Sequence, residues 1–306
     1  MRGYKRFFSL LLVLLVLTGC GQMGQDSPAQ QEAEPATETV TETVTEDTAQ
    51  GDGEAQEPSV QAIAQQAAQE PQEPETEEPV TEEPETEAPE TPAPLVCIDP
   101  GHQSHGNSSK EPNGPGSSTM KAKVTGGARG VSTGKYEYEL NLEVSLKLRD
   151  ELERRGYQVV MVREENDVDI SNVERSQVAN DAGADAFIRI HANGSENSSA
   201  NGAMTICMTP SNPYNKELYP RSKALSDAVL DALVEATGCK REYVWETDTM
   251  TGINWCQVPV TIVEMGYLSN PAEDEKLSTE DYQLAIASGI ADGIDSFFAQ
   301  YPPASE

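Results

Sequence analysis

Three histidines, His102, His105 and His191, are all that this 306-residue chain contains. Two of them stand where apolar runs end. His102 follows Leu95-Val96-Cys97-Ile98-Asp99-Pro100-Gly101, and His191 follows Ala186-Phe187-Ile188-Arg189-Ile190. Neutral imidazole is the commonest metal-binding side chain. A histidine at a strand end serves either as a hydrogen-bonding loop residue or as a ligand, and two in equivalent places favour the ligand. A catalytic zinc needs three protein ligands and an open position, and two histidines with one glutamate are a known set. Glu137 and Glu139, at the entrance of a helical segment, are both candidates for the carboxylate. A further carboxylate, Glu264, follows the apolar run 258–263. No His-Glu-x-x-His run occurs, which excludes a metalloprotease of that motif. His105 lies in a Gly/Ser-rich stretch and is not expected to be a ligand.

These residues need elements to hold them. Leu95 to Asp99, ending at Pro100-Gly101, reads as a buried strand and turn. Residues 103–134, full of Gly, Ser, Asn and Lys, read as a long loop, and loops of that length are usually functional or mobile. In 138–155, Leu140, Leu142, Val144, Leu146 and Leu148 alternate like a strand, yet Leu140, Val144, Leu148 and Leu152 also keep helical spacing. The length, the cations near the end and the stop at Gly156 decide for helix. Strands follow at 157–162, 186–190, 204–208 and 258–263, with helices at 171–182, 215–236 and 280–299. Strands alternating with such helices imply right-handed crossovers and a mostly parallel sheet covered on both faces. Ligands of such sheets bind beyond the carboxyl ends of the strands. His102, His191 and Glu264 all fall at those ends.

Composition confines this domain to one part of the chain. The sequence carries 52 acidic and 21 basic side chains, for a formal charge of −31. Residues 21–94 hold 20 of the acids and no Lys, Arg, Phe, Trp or Tyr. Low hydrophobicity with like charge cannot offset chain entropy, so 21–94 is expected to be a disordered tether. At about 5–6 Å times the square root of its length, it would span roughly 45–50 Å. The folded domain is expected over 95–302. So acidic a protein is a poor nucleic-acid binder, because binding phosphate needs Lys and Arg.

At the N-terminus, Arg2, Lys5 and Arg6 precede an uncharged run from Phe7 to Leu17. This reads as a secretory signal over 1–20, shorter than a membrane-spanning helix. Its ending, Leu17-Thr18-Gly19-Cys20, resembles a bacterial lipobox, which implies lipidation of Cys20. The expected location is therefore outside the cytoplasm, tied by lipid to the outer face of the cell membrane. Disulfides are permitted there. Cys97 and Cys207 fall in predicted strands and read as apolar fillers. A Cys239–Cys256 bridge would fit, although spacing alone does not fix connectivity.

Four blocks occur in order: Ile98-Asp99-Pro100-Gly101-His102, Glu137-x-x-x-Asn141-Leu142, Phe187-Ile188-Arg189-Ile190-His191-Ala192-Asn193, and Val263-Glu264-Met265-Gly266-Tyr267-Leu268-Ser269-Asn270-Pro271. Together with Val162-Arg163, Arg175 and Ala179-Asn180 they resemble the zinc-dependent N-acetylmuramoyl-L-alanine amidases, which cut bacterial peptidoglycan. The resemblance implies a single α/β domain with a twisted, mainly parallel sheet flanked by helices. It also implies one Zn²⁺ held by His102, Glu137 and His191, with Glu137 chosen because it stands four residues before Asn141. Glu264 then takes the catalytic carboxylate position, acting on water that zinc acidifies. The implied substrate bond joins N-acetylmuramic acid to the L-alanine of the stem peptide.

Two positions depart from the family pattern. Gln103 replaces a usual Gly, and Arg189 replaces a usual small Ser and is expected to bear on substrate contacts. Asp99 is read either as an acceptor for His102 or as a turn residue, and Asn193 and Asn270 either as substrate contacts or as loop pins. The other reading of the whole is a catalytically silent peptidoglycan-binding lipoprotein of the same fold. No activating partner is indicated.

Overall fold

Both sides of Leu95–Pro100 (β1) are covered, which is why its sequence is an unbroken apolar run. Val96 and Ile98 pack into one hydrophobic cluster and Cys97 into another across the sheet. The computed structural model describes residues 93–303. The signal segment, Cys20 and the tether up to residue 92 lie outside the described residues. After β1 come Asn107–Pro112 (β2), Met120–Val124 (β3), Glu137–Arg154 (α1), Gln158–Met161 (β4) and Asn172–Asp181 (α2). Next are Ala186–Asn193 (β5), Ala203–Cys207 (β6), Tyr219–Thr237 (α3), Arg241–Glu246 (β7) and Thr251–Asn254 (α4). Val260–Tyr267 (β8), Pro271–Leu277 (α5) and Glu280–Gln300 (α6) complete the domain.

The main sheet has six strands in the order β4-β1-β5-β8-β6-β7. The first four are mutually parallel, while β6 runs antiparallel to β8 and β7 parallel to β6. The expected mainly parallel α/β sheet is thus present. Helices α1, α3 and α6 cover one face; α2 and α4 cover the other. Helix α1 resolves the ambiguous periodicity, since Leu140, Val144, Leu148 and Leu152 are all fully buried along one stripe. Ser171 opens α2 with a reciprocal cap: its hydroxyl accepts from the Glu174 amide, and the Glu174 carboxylate accepts from the Ser171 amide. Gly238 ends α3 in the left-handed region at φ 65°. No described helix is long and apolar enough to cross a membrane.

Several expectations need correction. Segment 103–134 is not a plain loop: β2 and β3 pair as an antiparallel ribbon. Its strands lack apolar alternation, and docking holds them instead. The Trp255 indole donates to the Pro112 carbonyl (2.9 Å), the Asn254 amide to the Asn113 carbonyl (2.8 Å) and the Asn172 amide to the Lys123 carbonyl (2.9 Å). The helix expected from 215 starts at Tyr219 after a short 3₁₀ turn. Pro220 suits a first helical turn, and the Asn215 side chain is drawn away to the carbonyls of Ile253 and Cys256. Strands β5 and β8 run further than expected, so His191 and Glu264 lie inside strands. All four described cysteines are free thiols, with Cys239 against one core cluster and Cys256 in the other, so the suggested bridge is absent. Burial pushes the Cys256 thiol up to about 12.

A buried ion network fixes the end of β1. Asp99, fully buried, accepts from Arg175 Nη1 (2.6 Å) and Arg189 Nε (2.8 Å). Burial alone would raise the Asp99 pKa, but the two guanidinium groups outweigh it and hold the carboxyl below its ordinary range. Arg175 also donates to the carbonyls of Pro100 (3.0 Å) and His102 (3.0 Å) and to Gln103 Oε1 (2.8 Å). Replacing Asp99 with Ala would strand two buried cations and should destabilise the domain by about 3–5 kcal/mol in urea denaturation at pH 7. A loss below about 1 kcal/mol would show the network to be dispensable. Because the folded pKa is depressed, the Asp99 contribution should be complete above its unfolded value of about 3.9 and fade as pH falls below it.

Candidate active site

The turn after β1 passes through a conformation that few side chains adopt. His102 sits at φ 60°, where a Cβ is crowded by backbone. Two buried arginines hold it there. Arg163 donates to the carbonyls of Pro100 (2.8 Å), Gly101 (3.1 Å) and Tyr138 (2.8 Å), and Arg175 grips the His102 carbonyl. Gly101 has to be glycine, because a Cβ there would overlap the His191 ring. His191 comes from β5, Glu137 is the first residue of α1, and Glu264 on β8 lies in register beside His191.

One oxygen joins the set. Glu137 Oε1 is 3.1 Å from His102 Nε2 and 3.1 Å from His191 Nδ1, and the imidazoles meet edge to face at 4.8 Å. His102 Nδ1 lies 2.9 Å from the Thr125 carbonyl, which only accepts, so that nitrogen carries the hydrogen. Nε2 of a neutral ring therefore turns a lone pair toward the carboxylate, and something positive must stand between them. The carboxylate also accepts from the Ala128 amide (2.7 Å), the Ala192 amide (3.2 Å) and the Asn141 side chain (3.3 Å). His191 Nε2 and Glu264 Oε2 are buried without partners. One donor atom from each of His102, Glu137 and His191 lies within 4.8 Å of the others, a group that could hold a divalent cation.

Comparison with known proteins identifies the family. The sequence profile of the family described as N-acetylmuramoyl-L-alanine amidase (Amidase_3) matches residues 96–296. The chain belongs to that family. It is 30% identical over 168 residues to N-acetylmuramoyl-L-alanine amidase LytC of Bacillus subtilis, a match over 55% of this chain and 32% of LytC. Among solved structures, the CwlV catalytic domain of Bacillus (Paenibacillus) polymyxa var. colistinus is 29% identical with a TM-score of 0.54, over 67% of this chain and 98% of that one. An amidase of Clostridium difficile 630 is 27% identical with a TM-score of 0.56, over 69% of this chain and 100% of that one.

Within this amidase fold, charge is finely opposed. Burial would raise the Glu137 pKa, but His102 and His191 hold the carboxyl well below its usual value. Burial likewise disfavours charge on His102, yet Glu137 outweighs it and raises the pKa. His191 is pushed down to about 4, by burial first and by the neighbouring His102 charge against the pull of Glu137. Glu264 is pushed up to about 8 by burial and by the Glu137 carboxylate, with His102 and Arg189 opposing. Two half-buried imidazoles and two carboxylates thus share a space that favours an added cation.

The other singled-out residues lie elsewhere. Arg189 does not face a substrate: it is buried on Asp99 and on Asn172 Oδ1 (2.9 Å). Asp99 meets the two arginines and makes no bond to the His102 ring. Gln103, also buried, accepts from Arg175 and the Ile170 amide, which explains a long side chain in place of Gly. Asn270 caps α5 and donates to the Ala200 carbonyl, and Asn193 accepts from the Gly194 amide. His105 is exposed, 4.0 Å from Asp167. Sequence reasoning missed Thr125 and Ala128, whose contributions are a carbonyl and an amide that any residue type supplies.

Metal binding at this cluster requires His102 to lose the proton that Glu137 stabilises. Zn²⁺ affinity, measured by competition with a chromophoric chelator, should weaken as pH falls from 7 to 5, by about tenfold per unit once His102 is protonated. A pH-independent affinity would remove His102 from the ligand set.

Proposed function

We propose that this chain hydrolyses the amide between N-acetylmuramic acid and L-alanine of the peptidoglycan stem peptide, using one Zn²⁺ held by His102, Glu137 and His191. The observation that carries this reading is the convergence of those three donors beside Glu264, whose Oε2 is buried and unpartnered, within an amidase-family fold. Zinc bound there would supply Lewis acidity toward the scissile carbonyl and make water acidic enough to attack near neutral pH.

The chain's own residues do the rest. Glu264 lies in register beside His191 and its Oε2 has no hydrogen-bond partner, so it is free to take a proton from the attacking water. It then delivers that proton to the nitrogen of the leaving L-alanine, which departs as a neutral amine. A general base works best with a pKa near the working pH. Burial brings Glu264 up to about 8 before any cation is added, and a nearby positive charge would draw it down. Glu137, with three further donors on its carboxylate, keeps its place whatever the protonation of its neighbours. The Thr125 carbonyl keeps His102 in the tautomer that presents Nε2.

The same proposal takes in the N-terminal third: export by 1–20, lipid attachment at Cys20, and the acidic 21–94 segment as a spacer letting the 95–302 domain work above the membrane. Mass spectrometry of muropeptides digested with the zinc-loaded protein should show free stem peptides with L-alanine amino termini and intact glycan. New reducing ends without free peptide would point to another bond. Glu264→Gln should retain zinc while lowering amide cleavage by about 10²–10⁴-fold. Near-normal turnover by that variant would discharge Glu264 from its role.

A further inference from the structure

The β2–β3 ribbon is positive in a negative domain. Residues 95–306 carry 18 bases and 32 acids, yet 103–134 holds Lys110, Lys121, Lys123 and Arg129 against the single acid Glu111. Glu111 is buried and accepts from the Val173 amide at the start of α2. Among the described residues, the lysines in ion pairs are Lys135, Lys223 and Lys240, so none of the ribbon lysines is neutralised in this way. Lys123 is half-buried near Glu111 and Glu174, whereas Lys110 and Lys121 are exposed.

Strand alternation assigns these lysines to faces. Lys110 pairs with Ala122 and Glu111 with Lys121, so Lys110 lies on one face and Lys121 on the other. Lys121 and Lys123 share a face, which also carries the buried Glu111 directly opposite Lys121, and Thr125 continues the same spacing just past the end of β3. The Thr125 hydroxyl lies 3.3 Å from His102 Nδ1. That end of the ribbon thus abuts the His102 ring on its Nδ1 side, opposite the Nε2 that meets Glu137. At about 3.3 Å per residue, Lys123 and Lys121 stand roughly 7 and 13 Å up the ribbon from Thr125. The ribbon is also held firmly. Its tip is pinned by Asn254 and by the Thr251 hydroxyl on Asn113 Oδ1, with the Tyr214 ring closing over Gly114.

We propose that the Lys121–Lys123–Thr125 face is the docking strip for the anionic stem peptide, which leads its carboxylates along the ribbon while the scissile amide sits at His102, Glu137 and His191. This rests on the amidase reading above. An extended peptide advances about 3.3–3.6 Å per residue, so carboxylates on the second and later stem residues fall within reach of Lys123 and then Lys121. Exposed charge pairs are individually weak and fade with salt, so the strip selects and orients its ligand more than it adds affinity.

The test compares Lys121→Glu with Lys110→Glu, which makes the same charge change on the opposite face, using the zinc-loaded chain. Lys121→Glu should raise KM about three- to tenfold for a muramyl peptide with free stem carboxylates. It should leave kcat unchanged and have no effect on the same substrate with its carboxylates amidated, and Lys121→Gln, which places no carboxylate opposite Glu111, should raise KM in the same direction. Lys110→Glu should change little. Equal effects of the two variants, or an equal effect of Lys121→Glu on the amidated substrate, would overturn the proposal. Fluorescence anisotropy of a labelled stem peptide gives the same comparison without turnover. If the unaltered chain cleaves no muropeptide, the amidase reading fails, while peptide binding that weakens only with Lys121→Glu still supports the strip. Weakened binding of a poly(glycerol phosphate) chain with no change for the stem peptide would assign these cations to another ligand and defeat it.

Discussion

A single carboxylate oxygen on which two imidazole nitrogens converge is the constraint around which this domain is arranged. Glu137 Oε1 at 3.1 Å from both His102 and His191 is tolerable at its buried position only if its charge is well compensated. Backbone amides from Ala128 and Ala192 and the side chain of Asn141 provide part of that compensation. They come from the loop before α1, from β5 and from α1 itself. The carboxylate is therefore fixed by three segments rather than by its own helix alone. What remains uncompensated is the lone pair of His102 Nε2, and Glu264 adds a second acid next to it. The site is built with a deficit of positive charge, and such electrostatics suit a bound cation.

Holding such a site open places a demand on the rest of the fold. His102 stays in the left-handed region because its carbonyl, and those of Pro100 and Gly101, are tied to guanidinium groups. Buried arginines are unfavourable unless paired, so the same turn needs Asp99 beneath it, and Asp99 serves two of them at once. Arg189 then has a structural reason to stand where a smaller residue would do in a relative: it shares the charge of Asp99 and reaches Asn172 at the start of α2. The charge on the ligand strand is spent inward, on the α2 face.

Much of this was legible in the amino-acid sequence, and the reasons differ by element. Strands covered on both faces give continuous apolar runs, so β1, β5 and β8 stood out with the residues at their ends. Helix α1 was legible because Leu140, Val144, Leu148 and Leu152 keep one stripe. Strand β7, Arg-Glu-Tyr-Val-Trp-Glu, was not, because an edge strand buries little and its pattern is mostly polar. The ribbon was missed for a related reason: its register comes from side-chain bonds to residues over one hundred positions away, such as Trp255 and Asn254. At the site, local motifs and their order pointed to His102, Glu137, His191 and Glu264. The arginine network was hidden because nothing in sequence tells a buried guanidinium from a solvated one.

The ribbon changes how the insertion between β1 and α1 should be understood. A free loop of that length would have to be ordered each time a ligand arrived, and the entropy lost would weaken binding. Here the ordering is already complete, because the tip is fastened to the 247–255 segment and the return strand ends on the His102 ring. Thr125 belongs to both structures at once: its carbonyl sets the histidine tautomer and its strand carries the lysines. Any force that shifts the ribbon must therefore be felt at His102 Nδ1. The insertion meets the site at the His102 ring, and its paired strands hold their cations in a fixed order along the ribbon.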